Sequence, residues 1–113
     1  MSSLVENNID FLKSLENISS YRRKKLLKSA SESNILALKE VAHNLLQGKL
    51  KVPEVKKLKR HKHSIRKLVK KNSSLKSKRK LLIQKGGFLP LMITPLLSAI
   101  GSVTGKVIYK ALE

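Results

Sequence analysis

The sequence predicts an all-α protein, and three observations lead to that prediction. Apolar residues recur at helical spacing in several segments, most cleanly over 35–46. Serine clusters and glycines stand where helices are expected to begin and end. No stretch alternates apolar and polar residues as a half-buried strand does. We therefore expect a small N-terminal helical platform, a long basic helix or helix pair, and a C-terminal apolar helical tail interrupted by proline and glycine.

Charge divides the chain into three regions, which we take as the domain boundaries. Residues 49–85 contain 16 Lys and Arg against one acid. Residues 1–48 contain seven bases and five acids, and residues 86–113 contain two bases and one acid. The formal net charge of the chain is +18. Because unpaired buried ammonium groups are costly, the middle region must face water or a polyanion.

Two short helices are expected at the start of the platform. The first lies within 5–18, and its apolar face is formed by Val5, Ile9, Leu12 and Leu15, with Phe11 beside them. The second follows a cap at Ser19-Ser20. Its apolar side consists of Tyr21, Leu26 or Leu27, and Ala30.

A third helix follows the polar break 31–34, which offers a second cap. It is the cleanest amphipathic helix in the chain. Its apolar face comprises Ile35, Leu38, Val41, Ala42, Leu45 and Leu46. Gly48 stands where a left-handed C-cap is needed. Three short helices can bury one another's faces but make only a small core.

The basic region predicts one longer helix and one short one. Pro53 suits the first turn of a helix, because its missing N–H would have no partner there. A helix from Pro53 to about Lys71 would be ~28 Å long. Its one apolar stripe consists of Val55, Leu58, Ile65, Leu68 and Val69. The break 72–74 precedes a short basic helix that ends at Gly86-Gly87.

The C-terminal region opens with 20 residues, 86–105, that carry no charge. Pro90 and Pro95 prevent one straight helix from Phe88 onward, and a helix is expected after Pro95. Small residues recur along it at three- and four-residue steps, namely Ser98, Gly101, Ser102 and Gly105. The uncharged stretch 86–105 has the length to span a bilayer. It also suits a membrane interface, a partner protein, or the platform's own apolar surface.

The basic region is the strongest functional signal, and it indicates nucleic-acid binding. Lys and Arg neutralise phosphates and release condensed counterions, without reading sequence. Lys dominates here, and it acts as a point charge rather than as a bidentate reader of bases. The expected phosphate-binding residues are Lys56, Lys57, Lys59, Arg60, Lys62, Arg66, Lys67, Lys70, Lys71, Lys76, Lys78, Arg79, Lys80 and Lys85.

We expect no enzymatic activity, no metal site and no cofactor. The chain has no Cys, which excludes disulfides, thiolate zinc sites and cysteine nucleophiles. His61 and His63 are two apart, so on a helix they point to different faces. There is no Ser-His-Asp pattern, no carboxylate pair in an apolar setting and no phosphate-loop glycine motif.

The junction KGGFLPLMITPLLSAIGSVTGKVI, directly after a basic run, carries a resemblance to a known family. It resembles the late core protein X of adenoviruses, the precursor of the mu peptide. In that family a basic stretch leads into Gly-Gly, an apolar Leu-Pro-Leu run and a small-residue apolar helix. The layout of the whole chain is also similar to core proteins of Polinton (Maverick) transposons and adintoviruses. The specific match covers about 76–108.

The resemblance implies a virion core component that binds and condenses double-stranded DNA in the virion core and the host nucleus. It favours DNA over RNA, which the residues alone do not distinguish. It also implies cleavage by a viral cysteine protease after the glycine pair, between Gly87 and Phe88, at a site that includes Gly86. In this chain Gln84 stands where that family has an apolar residue, and Lys replaces most of the family's Arg.

Two other functions remain open at this point. The apolar tail and the basic region together suit a membrane-active or membrane-anchored protein, with cations on anionic headgroups. If the tail does not enter a membrane, it is expected to contact capsid proteins. A cellular RNA- or chromatin-binding accessory protein is the third candidate, because phosphate neutralisation is common to all of these.

Overall fold

The fold was obtained as a computed structural model, which describes residues 2–50, 52–53 and 55–98. Within these ranges every regular element is a helix, which confirms the all-α prediction. The elements are α1 (Ser3–Asn7), α2 (Ile9–Ser14), α3 (Ser20–Ser29), α4 (Glu32–Leu46), α5 (Val55–Lys59), α6 (Lys62–Leu68), α7 (Leu75–Lys85), a 3-10 turn (Gly86–Phe88) and α8 (89–98).

Serine side chains begin the longer helices, as the sequence predicts. Ser19 Oγ accepts a hydrogen bond from Arg22 N at 3.2 Å, and Ser74 Oγ accepts one from Ser77 N at 3.1 Å. Ser31 forms a reciprocal capping box, the arrangement that satisfies two backbone donors at once. These bonds place each helix start locally, before any tertiary contact is considered.

Helix α4 lies at the centre of the packing. It contacts α1, α6 and α7, while α7 also packs against α3 and α6. Four residues of the predicted α4 face, Ile35, Leu38, Val41 and Ala42, are buried. Leu46 is 42% exposed, so its predicted place in the core is wrong. It lines a surface groove of about 460 Å³ beside Val55.

The first predicted helix is divided in two at Asn8, because that side chain bonds to α4 instead of facing solvent. Asn8 is only 5% exposed. Its Nδ2 donates to Leu4 O at 2.7 Å and to Ser33 Oγ at 3.0 Å, and its Oδ1 accepts from Asn34 Nδ2 at 2.6 Å. A fully bonded buried amide of this kind fixes α1 against the start of α4.

In α3 the prediction holds for Leu27 and Ala30, which are buried, and fails for Tyr21, which is 67% exposed. Arg23 takes the inward position one turn before Leu27. The Tyr21 ring instead lies under the Lys25 ammonium, whose Nζ is 4.7 Å from the ring centroid. This is a surface cation–π contact.

The single helix predicted from Pro53 to Lys71 is wrong, since α5 and α6 are separated by a turn at Arg60-His61. His61 N donates to Leu58 O at 2.9 Å, a three-residue bond that tightens the chain. The His61 ring then lies 6.0 Å from the Phe88 ring. Further along the predicted stripe, Ile65 and Leu68 are buried, whereas Val55 at the opposite end is 51% exposed.

The C-terminal helix begins earlier than the sequence predicts. It runs over 89–98, with Pro90 in its first turn and Pro95 inside it, so the expectation of a helix that begins after Pro95 is wrong. A proline early in a helix removes an N–H that has no acceptor anyway, and Pro95 removes one bond from the ladder. Ser98 is exposed. The predicted small-residue positions Gly101, Ser102 and Gly105 lie outside the described residues.

The described part of the C-terminal region belongs to the core. Phe88, Leu89, Met92, Ile93 and Leu96 are buried in the same cluster as residues of α1, α4 and α6. Of the surfaces considered for this region, the platform's own apolar surface is therefore the one that these residues cover. By length and composition alone, Leu75–Ser98 also passes as a helix able to cross a membrane, and 39% of its most apolar window is buried inside the fold.

Candidate nucleic-acid interface

Most of the predicted phosphate-binding side chains lie at the surface. Twelve of the fourteen are exposed: Lys56, Lys57, Lys59, Arg60, Lys62, Arg66, Lys67, Lys70, Lys71, Lys76, Lys80 and Lys85. They extend over α5, α6, the turn 69–74 and α7. Lys57 also has an interaction within the protein. Ile65 and Leu68 of α6 and Leu82 of α7 are buried, so the cations of these helices occupy the outward faces.

Lys78 is the clear exception, because it is buried and only 3% exposed. Its Nζ donates to Lys70 O at 2.6 Å, to Ser73 O at 3.4 Å and to Ser73 Oγ. Burial, and secondly the charge of Lys39, lower the pKa of Lys78 from its ordinary 10.5. Its expected surface contact with phosphate is corrected accordingly: Lys78 holds the α6–α7 turn together.

Arg79 also acts mainly within the fold. Its Nη1 donates to Leu27 O at 2.8 Å and to Ala30 O at 2.6 Å, at the C-terminal end of α3. The side chain is half-buried. Arg79 Nη1, like Lys78 Nζ, is therefore occupied by acceptors within the protein.

The structure brings α3 beside this surface, which the sequence reasoning missed. Arg79 lies at the end of α3, and at the other end of α7 a Cβ placed on Gly86 would be 3.6 Å from Arg23 Nε. The two helices therefore run antiparallel. Four further cations of α3 are exposed, namely Arg22, Lys24, Lys25 and Lys28. The run RRKK at 22–25 is the sequence signal from which these cations could have been predicted to belong to the basic surface.

These exposed cations of α3, α5, α6 and α7 form what we call the basic layer. Because α3 and α6 both pack on α7, exposed cations of three neighbouring helices are brought together. The major groove of B-DNA is ~12 Å wide and has phosphates along both of its sides, which several such cations can contact.

The acidic residues of the described part all lie outside the four helices that carry the basic layer. Glu6, Asp10, Glu16, Glu32 and Glu40 all belong to α1, α2, α4 or the turn after α2. The residues of α3, α5, α6 and α7 include no Asp or Glu. These helices therefore carry no compensating charge of their own, and a polyanion relieves the mutual repulsion of their cations.

The glycine pair expected as a protease site lies in the 3-10 turn that connects α7 to α8. Gly86 and Phe88 are buried and Gly87 is exposed within the 3-10 turn. Cleavage between Gly87 and Phe88 therefore requires local opening of this turn and withdrawal of Phe88 from the core.

The histidines do not converge in the described part of the chain. His43 and His63 are exposed, and His61 packs beside Phe88. Over residues 2–50, 52–53 and 55–98, no three His, Cys, Asp or Glu side chains are close enough to hold a metal ion.

Comparisons with protein-family models, with curated proteins and with solved structures find no match to this chain. The candidate interface therefore stands on the chain's own geometry and charge.

Proposed function

We propose that this protein is a non-enzymatic, sequence-independent double-stranded DNA-binding and condensing protein, the core protein of a virus or virus-like transposon. One observation carries the DNA-binding part: α3, α5, α6 and α7 all expose cations, and α3 and α6 both pack on α7. The helices that carry these cations are packed on one another, so their backbone is already ordered before binding.

Phosphate neutralisation is the mechanism. Each Lys or Arg that reaches a phosphate releases condensed counterions, and the entropy of that release supplies most of the binding free energy. If about eight side chains reach phosphates, log K falls against log salt with a slope near −7. Because Lys outnumbers Arg in the layer, recognition is by charge and not by base edges.

The viral setting rests on the resemblance of the junction 85–108 to adenovirus core protein X. On that ground we propose the virion core and the host nucleus as its location, with duplex DNA as the main partner. Capsid proteins and a viral cysteine protease are partners on the same ground. The cut after Gly87 would break the chain between the basic helices and Phe88, the first of the apolar C-terminal residues that pack in the core.

The decisive experiment measures duplex binding by the full-length protein across a salt series. We expect unrelated duplexes to bind alike, with a steep salt slope, and long DNA to compact in light scattering. A matched variant, Lys56→Gln with Lys59→Gln, Lys67→Gln and Lys71→Gln, should reduce the slope by about 4, one unit for each lysine that no longer neutralises a phosphate. All four side chains are exposed, so the fold should survive.

Weak binding of duplex DNA at physiological salt would contradict the proposal. A clear preference for structured RNA over duplex DNA at matched salt would instead favour a cellular RNA-binding accessory protein. Both nucleic acids are therefore titrated side by side, and the slopes are compared as well as the affinities.

A membrane-active protein is the second candidate, and one observation favours it. An 18-residue window within Leu75–Ser98 has the length and apolar composition of a membrane-crossing helix. Inserting it would require Phe88, Leu89 and Met92 to leave the core. Flotation with neutral vesicles in the absence of DNA distinguishes the two functions: substantial binding supports the membrane role, because neutral lipid offers the cations no partner.

A further inference from the structure

A cleft of about 330 Å³ lies between α6, the turn 69–74 and α7. Four lysines line it, Lys67, Lys70, Lys78 and Lys80, together with Ser73 and Ser77. None of the residues that line it is acidic. Its volume is several times the ~30 Å³ of a water molecule, so a phosphate group can enter with part of its hydration shell.

The floor of the cleft is held in one conformation. Lys78 Nζ bonds to the carbonyl oxygens of Lys70 and Ser73, and Ser73 Oγ donates to Lys70 O at 3.0 Å. On the α7 side, Ser74 Oγ bonds to both Ser77 N and Ser77 Oγ at 3.1 Å. The carbonyl oxygens, which would repel an anion, are thus occupied by donors. Such preorganisation reduces the entropy lost when a ligand binds.

The charge of the cleft also lacks compensation. Four lysines and no acid line the cleft, so positive charge is in excess there. Burial, and secondly the charge of Lys39, also lower the pKa of Lys78. Lys67, Lys70 and Lys80 are exposed and can turn toward the cleft. An anion between them would relieve this repulsion without any change in the backbone.

We propose that this cleft is a phosphate-binding site, in which Lys67, Lys70 and Lys80 hold one phosphate group above the floor formed by Lys78 and the Ser73 turn. Its ligand is a phosphodiester of the DNA backbone if the function proposed above is right, and the assignment of DNA rests on that function. Inorganic phosphate or a phosphate monoester offers the same chemistry. The cleft thus fixes the register of the basic layer on a polyanion, where the other exposed lysines make interchangeable contacts.

The test uses the full-length protein labelled with ¹⁵N and two probes, inorganic phosphate and a short duplex. Phosphate, against sodium chloride at equal ionic strength, should shift the amide signals of Ser73 and Ser77. The variant Lys67→Ala with Lys80→Ala should lose these shifts, and Lys67→Arg with Lys80→Arg should retain them. The matched variant Lys24→Ala with Lys28→Ala, on α3, should also retain them. For the duplex, the cleft variant should bind about tenfold more weakly than the α3 variant, the loss of one charge-assisted hydrogen bond.

Each outcome separates the site from the function. If phosphate shifts no cleft signal beyond the chloride control, the site is overturned whatever the DNA result. If duplex DNA binds but the cleft and α3 variants weaken equally, the assignment of a backbone phosphate to the cleft is overturned while DNA binding stands. If phosphate shifts the cleft signals and no duplex binds, the site stands as a phosphate site and the proposed function fails.

Discussion

Arg79 donates from Nη1 to the carbonyl oxygen of Ala30 at 2.6 Å, and this bond joins α7 to the end of α3. The same nitrogen donates to Leu27 O at 2.8 Å. The last carbonyl groups of a helix have no partner within it. A guanidinium there satisfies them and also interacts favourably with the negative end of the helix dipole. One cation of the basic region thereby positions the α3 part of the basic layer.

Replacement of Arg79 should therefore affect stability before it affects binding. Arg79→Ala is expected to lower the free energy of unfolding by about 2 kcal/mol, because charge-assisted hydrogen bonds to buried carbonyls are lost. Urea unfolding followed by circular dichroism measures this. Lys76→Ala, an exposed lysine one turn earlier on α7, should stay within about 0.5 kcal/mol of the native protein. Equal losses in the two variants would show that Arg79 is only another surface cation.

Alanine substitutions at Gly48 and Gly87 test the backbone conformation at these two positions. Gly48 has a φ of +75°, and nothing lies within 4 Å of an added Cβ. Gly48→Ala should therefore lower the free energy of unfolding by about 1 kcal/mol through backbone strain alone. In Gly87→Ala the new Cβ would meet only His61 Cε1, at 3.9 Å. That change should be neutral or slightly stabilising, because alanine restricts the unfolded chain. Thermal unfolding of both variants gives the comparison, and a reversed order would contradict it.

Local signals in the sequence were sufficient for much of the fold. Ser19, Ser31 and Ser74 cap helices because a serine hydroxyl reaches the backbone N–H three residues later, whatever the rest of the chain does. Gly48 adopts the predicted left-handed conformation for an equally local reason. The apolar period of α4 likewise required only the sequence.

Tertiary contacts decided what the sequence did not. The break at Arg60-His61 has no Gly or Pro to mark it, and it accompanies the contact of His61 with Phe88. Lys78 lies three residues after Leu75 and four before Leu82, on the apolar side of α7, so its burial had a signal in the spacing. Arg79 had none, because its partners are 49 and 52 residues away.

Phe88 links the C-terminal region to the core, and its truncation should be costly. Phe88→Ala is expected to lower the free energy of unfolding by about 3–5 kcal/mol, since the side chain is fully buried. Leu91→Ala is the matched control, because Leu91 is half-buried and lines a surface groove. Denaturant unfolding should show a clearly smaller loss there. Similar losses would mean that Phe88 is not part of the central packing.

The same packing predicts how a protease treats the glycine pair. An adenovirus-type protease should cut between Gly87 and Phe88 slowly in the folded protein and faster in Phe88→Ala, where the turn opens more often. Mass spectrometry of the digestion products, sampled over time, measures both rates. No break at Gly87 in either protein would remove this site from the proposal.

Helix α3 should contribute to DNA binding, although the sequence reasoning left it out. Lys24→Ala with Lys28→Ala is expected to reduce the salt slope by about 2, one unit for each lysine that no longer neutralises a phosphate, with no change in sequence preference. Lys13→Ala on α2 is the control, since α2 packs against α1. It should leave the slope nearly unchanged. A slope that is the same in all three proteins would confine the interface to α5, α6 and α7.

Lys78 predicts a pH dependence of stability whose direction follows from its environment. Burial, and then the charge of Lys39, lower its folded-state pKa below the ordinary 10.5. Between these two values the unfolded chain binds more protons at this side chain than the folded chain does. Stability therefore rises with pH across that window, and below it the cost of the buried ammonium is present in full.

The comparison that isolates this effect is the native protein against Lys78→Met, with unfolding free energies measured from neutral pH up to 10.5. The difference in unfolding free energy, native minus variant, should increase with pH. Only the native protein has a buried ammonium at position 78, and deprotonation of Lys78 removes its unfavourable desolvation. Lys80→Met, an exposed lysine on the same helix, corrects for the general loss of one cation from a basic protein. A difference that stays flat or falls as pH rises would mean that Lys78 is charged at no cost within its turn, and that the carbonyl oxygens of Lys70 and Ser73 fully replace its hydration.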